Sequence, residues 1–176
     1  KFQVPVIDEH YYVNPPWLIS NQYRYDKYDR KKSEVYLGEY ASWGNKMQNA
    51  IAEAVFMTGL ERNGDIVRMA SYAPLLAKKN FTQWTTDLIF FDNTTICLTP
   101  NYYVQKLFSL NQGDFYFDKV VTKNELDSTL AASCVQNSKT GDIILKLVNY
   151  SDSDKTMKVN LSKFGKITPE AEKTVL

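Results

Sequence analysis

Residues 34–44 read Glu34-Val35-Tyr36-Leu37-Gly38-Glu39-Tyr40-Ala41-Ser42-Trp43-Gly44. The β-branched and aromatic opening favours a strand, and the carboxylate of Glu39 stands beside a glycine where that run stops and a helical pattern begins. In parallel α/β folds the C-terminal strand ends and the loops after them form the ligand-facing side, so a carboxylate placed there is a candidate catalyst. The competing reading is a solvated or salt-bridged loop glutamate, since charged side chains mostly sit at surfaces.

Toward the N-terminus, Gln3-Val4-Pro5-Val6-Ile7 predicts a short buried strand that runs into Asp8-Glu9-His10-Tyr11-Tyr12, a second strand end loaded with polar groups. The spacing of His10 and Tyr12 points both side chains to one side of a strand. Asn14-Pro15-Pro16-Trp17 predicts an extended turn, because the residue before a proline avoids the helical region. Ile19 to Lys32 then reads as a surface helix and a basic turn, with the mixed charges of residues 23–30 forming a solvated face.

Toward the C-terminus, Asn45 is the expected cap of a helix from Lys46 to Glu61. Met47, Ile51, Ala54, Val55, Thr58 and Leu60 approximate the 3.6 period, and Arg62-Asn63-Gly64 supplies the stop. Asp65 to Ala70 predicts the next strand, ending in Ser71-Tyr72-Ala73-Pro74, and strand-helix alternation implies parallel strands with right-handed crossovers. Residues 75–99 read as a long loop carrying an extended segment from Asp87 to Asp92. Thr99-Pro100 opens a helix over Asn101 to Leu110. After residue 113 the pattern changes to alternation and turns. Phe115-Tyr116-Phe117 with Val120-Val121, Leu130 to Val135, Ile143 to Val148 and Met157 to Leu161 predict an antiparallel meander.

The composition, 44% apolar and 23% charged, is that of a globular protein, and a net charge of +1 argues against a nucleic-acid or polyacidic partner. No apolar run is long enough to span a membrane, so no membrane partner is expected. Cys97 and Cys134 lack CxxC spacing and His10 is the single histidine, which leaves no metal-ligand cluster and no cofactor to propose. Twelve tyrosines suit a carbohydrate site, where rings stack on sugar faces, although any single ring is more often core. The start at Lys1-Phe2-Gln3 and the finish at Lys173-Thr174-Val175-Leu176 read as cut ends of a longer protein. Asn-x-Ser/Thr tripeptides at Asn80, Asn93, Asn149 and Asn160 are acceptors only in a eukaryotic secretory pathway, and such tripeptides are common by chance.

The runs Asp8-Glu9-His10-Tyr11-Tyr12, Tyr36-Leu37-Gly38-Glu39-Tyr40-Ala41, Gly59-Leu60-Glu61-Arg62-Asn63, Met69-Ala70-Ser71-Tyr72-Ala73-Pro74-Leu75 and Thr99-Pro100-Asn101-Tyr102-Tyr103-Val104-Gln105 resemble, in order and spacing, the C-terminal part of α-L-arabinofuranosidases of glycoside hydrolase family 51. The resemblance implies an α/β plus β fold: the last three β/α units of a (β/α)8 TIM barrel over residues 1–113, then part of a β-sandwich over 114–176. It implies a retaining glycosidase that releases terminal α-L-arabinofuranosyl residues from arabinan or arabinoxylan. Glu39 matches the family's nucleophile, Tyr12 the tyrosine that orients it, and His10 a histidine on the same face. Trp84 and Asp87 lie where the family's last βα loop contacts sugar. The family's acid/base glutamate corresponds to a position before Lys1, so the chain by itself is expected to be inactive. The N-terminal part of the same protein is then an expected partner, beside an arabinose-containing polysaccharide or oligosaccharide. Because that polymer lies outside cells, a secreted or periplasmic parent is expected. The alternative is a non-catalytic carbohydrate-binding or structural module.

Overall fold

The computed structural model describes residues 4–118 and 128–176. Gln3 of the first expected strand and the Val120-Val121 pair lie outside these residues. Three strands, β1 (Val6–Val13), β2 (Glu34–Ser42) and β3 (Val67–Tyr72), pair in parallel in the order β1-β2-β3. The β2–β3 ladder slips between Val35 and Tyr36, and two further slips fall nearer the strand ends, between Glu9 and His10 and between Leu37 and Tyr40. The last two lie at Glu39, and bulges of this kind re-aim side chains at strand ends.

The crossover between β1 and β2 departs from expectation. Only Asn14 is extended; its side chain accepts from the Trp17 N–H at 3.0 Å and caps a helix, α1 (Pro15–Ser20), whose first turn holds both prolines. Proline fits a helix there because those N–H groups have no intrahelical acceptor. The surface helix expected over Ile19 to Lys32 does not form, and the segment is anchored instead, with Leu18 and Tyr25 buried. Nor are its charges a merely solvated face. Arg30 donates to the carbonyls of Tyr25 and Tyr28, to Asn63 Oδ1 and to Asp65, tying the crossover to the end of the next helix.

That helix, α2 (Met47–Arg62), starts one residue later than expected. Asn45 is not its cap; Asn49 reaches back to accept the Lys46 N–H at 3.1 Å, while Asn45 donates to Asn101. Buried residues surround the helix because it packs on two sides. Ala52, Phe56 and Leu60 join Val35, Leu37, Tyr40, Ile66 and Val67 of the parallel layer, whereas Ala50 and Ala54 meet Val104, Phe108 and Val148. At Gly59 an added Cβ would stand 2.0 Å from the Gln22 carbonyl oxygen, so α1's exit crosses the helix where no side chain fits.

The expected loop of residues 75–99 contains a small mixed sheet: β4 (Leu76–Lys78) parallel to β5 (Ile89–Phe91), and β5 antiparallel to β6 (Ile96–Leu98). Thr99 accepts the Tyr102 N–H and caps α3 (Pro100–Leu110). A third, antiparallel sheet follows, β7 (Phe115–Tyr116), β8 (Leu130–Gln136) and β9 (Ile143–Asn149), with the β8–β9 turn closed by Gly141 N–H on the Asn137 carbonyl. Met157 to Leu161, expected as a fourth strand, is not one. Its apolar alternation is present, but Val159 and Leu161 are about half exposed, and alternation makes a strand only where a partner strand receives it.

This sheet shares a core with what precedes it. Glu61 on α2 accepts from Ser133 on β8 and pairs with Lys146 on β9 at 2.5 Å, and Lys146 also donates to the Asn111 carbonyl.

Candidate active site

β1 and β2 carry alternating faces. Val35 and Leu37 turn to α2 and are fully buried, which leaves Tyr36 and Gly38 on the other face with Asp8, His10 and Tyr12 of β1. In the parallel register His10 lies opposite Glu39 and Tyr40 opposite Tyr72. The expected residues therefore stand at the C-terminal parts of adjacent parallel strands.

The Tyr12 hydroxyl donates to Glu39 Oε2 at 2.6 Å. Burial, and then the carboxylate it bonds, push the Tyr12 phenol up to about 12, so it remains a neutral donor. His10 Nδ1 stands 3.7 Å from the same Oε2, and its Nε2 is 3.0 Å from Asp8 Oδ2. Glu39 itself is 43% exposed and open to a ligand. Ser71 lies on the adjacent strand but meets Tyr36 at 2.9 Å through their hydroxyls.

Trp84 stacks on Tyr12 with ring centroids 5.3 Å apart and remains half exposed, so it extends the site outward from the tyrosine. Asp87, by contrast, is buried. It accepts from Thr82 Oγ1 at 2.9 Å, and that hydroxyl accepts the Trp84 N–H at 3.0 Å, which makes the aspartate a support of the Trp84 loop in this structure.

Two features escaped the sequence reading. Trp43, the residue after β2, is 61% exposed, and its signal was an aromatic ring four residues past the candidate carboxylate. Behind the strand, Glu53 of α2 is fully buried. It accepts from the Ser42 N–H at 2.9 Å, from Asn101 at 2.7 Å and from Gln105 at 3.3 Å, and Gln105 in turn accepts from the Tyr40 hydroxyl. Desolvation, only partly offset by these donors, pushes the Glu53 carboxyl up to about 7. A charged residue inside an otherwise apolar helical face was its signal.

What the arrangement defines by itself is a class: an α/β protein with one exposed, tyrosine-held carboxylate at the ends of parallel strands. The profile of the α-L-arabinofuranosidase C-terminal domain matches residues 38–176. The chain is 55% identical over 111 residues to an extracellular exo-α-L-arabinofuranosidase of Streptomyces chartreusis, covering 63% of this chain and 14% of that protein. It is 39% identical over 173 residues to a probable α-L-arabinofuranosidase A of Aspergillus terreus, covering 94% of this chain and 27% of that protein. A solved arabinose-bound family 51 α-L-arabinofuranosidase superposes with a TM-score of 0.78 at 36% identity, over 85% of this chain and 26% of that one. The arabinose complex of the Thermotoga maritima α-L-arabinofuranosidase, at 16% identity and a TM-score of 0.62 over 86% of this chain and 39% of that one, shares the fold. The chain belongs to the α-L-arabinofuranosidase C-terminal domain family, as the C-terminal part of a glycoside hydrolase family 51 protein. It spans about a quarter of the length of the Aspergillus relative.

Proposed function

We propose that the protein carrying this chain is a retaining glycoside hydrolase that removes terminal α-L-arabinofuranosyl residues from arabinan or arabinoxylan, with Glu39 as its nucleophile. The observation that carries this reading is the Tyr12 to Glu39 hydrogen bond at the C-terminal ends of parallel strands. A nucleophilic carboxylate must be held in orientation and aimed at the anomeric carbon, and a strand end braced by a neutral phenol does both. His10 stands 3.7 Å from the Glu39 carboxylate, Trp84 and Trp43 offer exposed rings for a sugar face, and Asp87 supports the loop that presents Trp84.

Retention needs a second carboxyl about 5 to 5.5 Å from the first to protonate the leaving oxygen. That group is supplied by residues outside this chain, which therefore does not turn over substrate alone. The three parallel strands are the last three of a (β/α)8 barrel over residues 1–113, and residues 114–176 are part of a β-sandwich. The uncovered face of β1–β3 supports this, since parallel strands are normally covered on both faces and flanked on both edges. The N-terminal part of the protein is the partner of that face. The extracellular Streptomyces relative and the nature of the polymer favour a secreted or periplasmic enzyme.

The test is turnover of an aryl α-L-arabinofuranoside by the full-length protein. Glu39→Ala is expected to abolish it, NMR of the first-formed sugar is expected to show the retained anomer, and a fluorinated arabinofuranosyl inactivator is expected to label the peptide holding Glu39. Inversion, or label on another residue, overturns the reading.

A further inference from the structure

Asp8 was not among the residues that the sequence singled out as part of the site, yet two independent contacts fix its carboxylate. Its Oδ2 is 3.0 Å from His10 Nε2. Its Oδ1 lies over the backbone of Gly38, the residue before Glu39, where an added Cβ would stand only 2.1 Å away. Position 38 is thus filled by the aspartate of the neighbouring strand in place of a side chain of its own.

We propose that Asp8 is a positioning residue for the reacting carboxylate, acting through His10; this rests on Glu39 being the nucleophile. An aspartate oxygen 3.0 Å from Nε2 favours the tautomer with its proton on Nε2, which leaves Nδ1 as an acceptor. That nitrogen faces Glu39 across 3.7 Å, too far for a hydrogen bond between them. The gap leaves an acceptor for a sugar hydroxyl next to the nucleophile, and it leaves Oε2 to Tyr12. Without Asp8 the ring is free to shift toward Glu39, carry its proton on Nδ1 and donate to the carboxylate. That tautomer withdraws the acceptor from the substrate and competes with Tyr12 for the same oxygen. The glycine is the other half of the device, since Gly38→Ala pushes the Asp8 carboxylate off the ring without touching His10 or Glu39.

The experiment uses the full-length protein. Asp8→Ala is expected to lower kcat/KM about 10- to 100-fold, the loss typical of a misplaced reacting group. Asp8→Asn, whose amide oxygen still accepts the Nε2–H, should recover most of that loss. Gly38→Ala should reproduce the Asp8→Ala defect with little change in Tm. In a His10→Ala background Asp8→Ala should add almost nothing, because the aspartate acts only through the ring. The nitrogen-15 shifts of His10, assigned by their loss in His10→Ala, should report an Nε2–H imidazole in the wild type and an Nδ1–H form in Asp8→Ala. Full activity of Asp8→Ala, additivity with His10→Ala, or an unchanged tautomer overturns the proposal. The shift measurement stands even if Glu39→Ala remains active, so failure of the nucleophile reading and failure of the Asp8 proposal are told apart.

Discussion

Tyr12 and Glu39 show what a single contact fixes and what it leaves to the neighbours. The phenol is neutral throughout the working range, so its contribution is directional: it holds one carboxylate oxygen at 2.6 Å and, on the proposed reading, leaves the other free to act as nucleophile. Tyr12→Phe is therefore expected to lower kcat of the full-length enzyme about 10- to 100-fold, with a much smaller change in KM. It should also loosen Trp84, which stacks on that ring, and a blue-to-red change in tryptophan emission would report this. Burial raises Glu53 as well, but from the acid side, into the range where its charge state changes with pH. Between its ordinary value near 4.5 and about 7 the folded state keeps a proton that the unfolded state releases. Stability from this group is thus fully present below about 4.5 and is lost as the pH rises through 7, roughly 3 kcal/mol in all. Urea denaturation across that window should show the decline, and Glu53→Gln should flatten it. A slope unchanged by Glu53→Gln would mean that the carboxyl is already ionised in the fold.

At the scale of elements, legibility followed the length of the pattern. β1, β2, α2, α3, β8 and β9 are long enough for alternation or the helical period to declare them, and His10, Tyr12 and Glu39 came with the strands that carry them. Three-residue strands such as β4 and β6 carry no period to read, and the six-residue α1 was hidden because its two prolines look like a turn until Asn14 is seen capping them. Long-range partners were equally out of reach. Arg30, read as part of a solvated face, is consumed by Asn63 and Asp65, and the Asp8 contact with Gly38 depends on bulged registers that no local pattern encodes. The same holds for Glu61 and Lys146, separated widely in sequence and only 17% and 10% exposed. Removing one partner leaves a mostly buried charge, so Lys146→Ala should destabilise the protein by roughly 2 to 4 kcal/mol, between the exposed and the fully buried cases. In Glu61→Gln the same lysine change should be less damaging, and a double-mutant cycle by chemical denaturation measures the coupling.

On the scale of the whole molecule, the site and its surroundings differ in completeness. The α2 side of the parallel sheet is packed, with Val35, Leu37 and Tyr40 shielded from water, while β1 and β3 are the edges of that sheet among the described residues. Val6 and Ile7 on β1 and Met69 on β3 remain 38%, 42% and 58% exposed, more apolar surface than a parallel sheet ordinarily leaves to solvent. The Glu39 carboxylate is thus oriented by its own strands, and on the proposed reading the proton donor lies outside this chain. General acid assistance alone is worth typically about 10²- to 10⁴-fold, and site walls supplied by the rest of a barrel would add positioning. The 176-residue chain, purified alone, should release no aryl leaving group from an α-L-arabinofuranoside above background under conditions where the full-length protein turns over. It should bind a dye that reports exposed apolar surface, and a circular dichroism spectrum with mixed helix and sheet would show that the inactivity is not simple unfolding. Turnover by the isolated chain that disappears with Glu39→Ala would show instead that a proton donor within residues 1–176 completes the site.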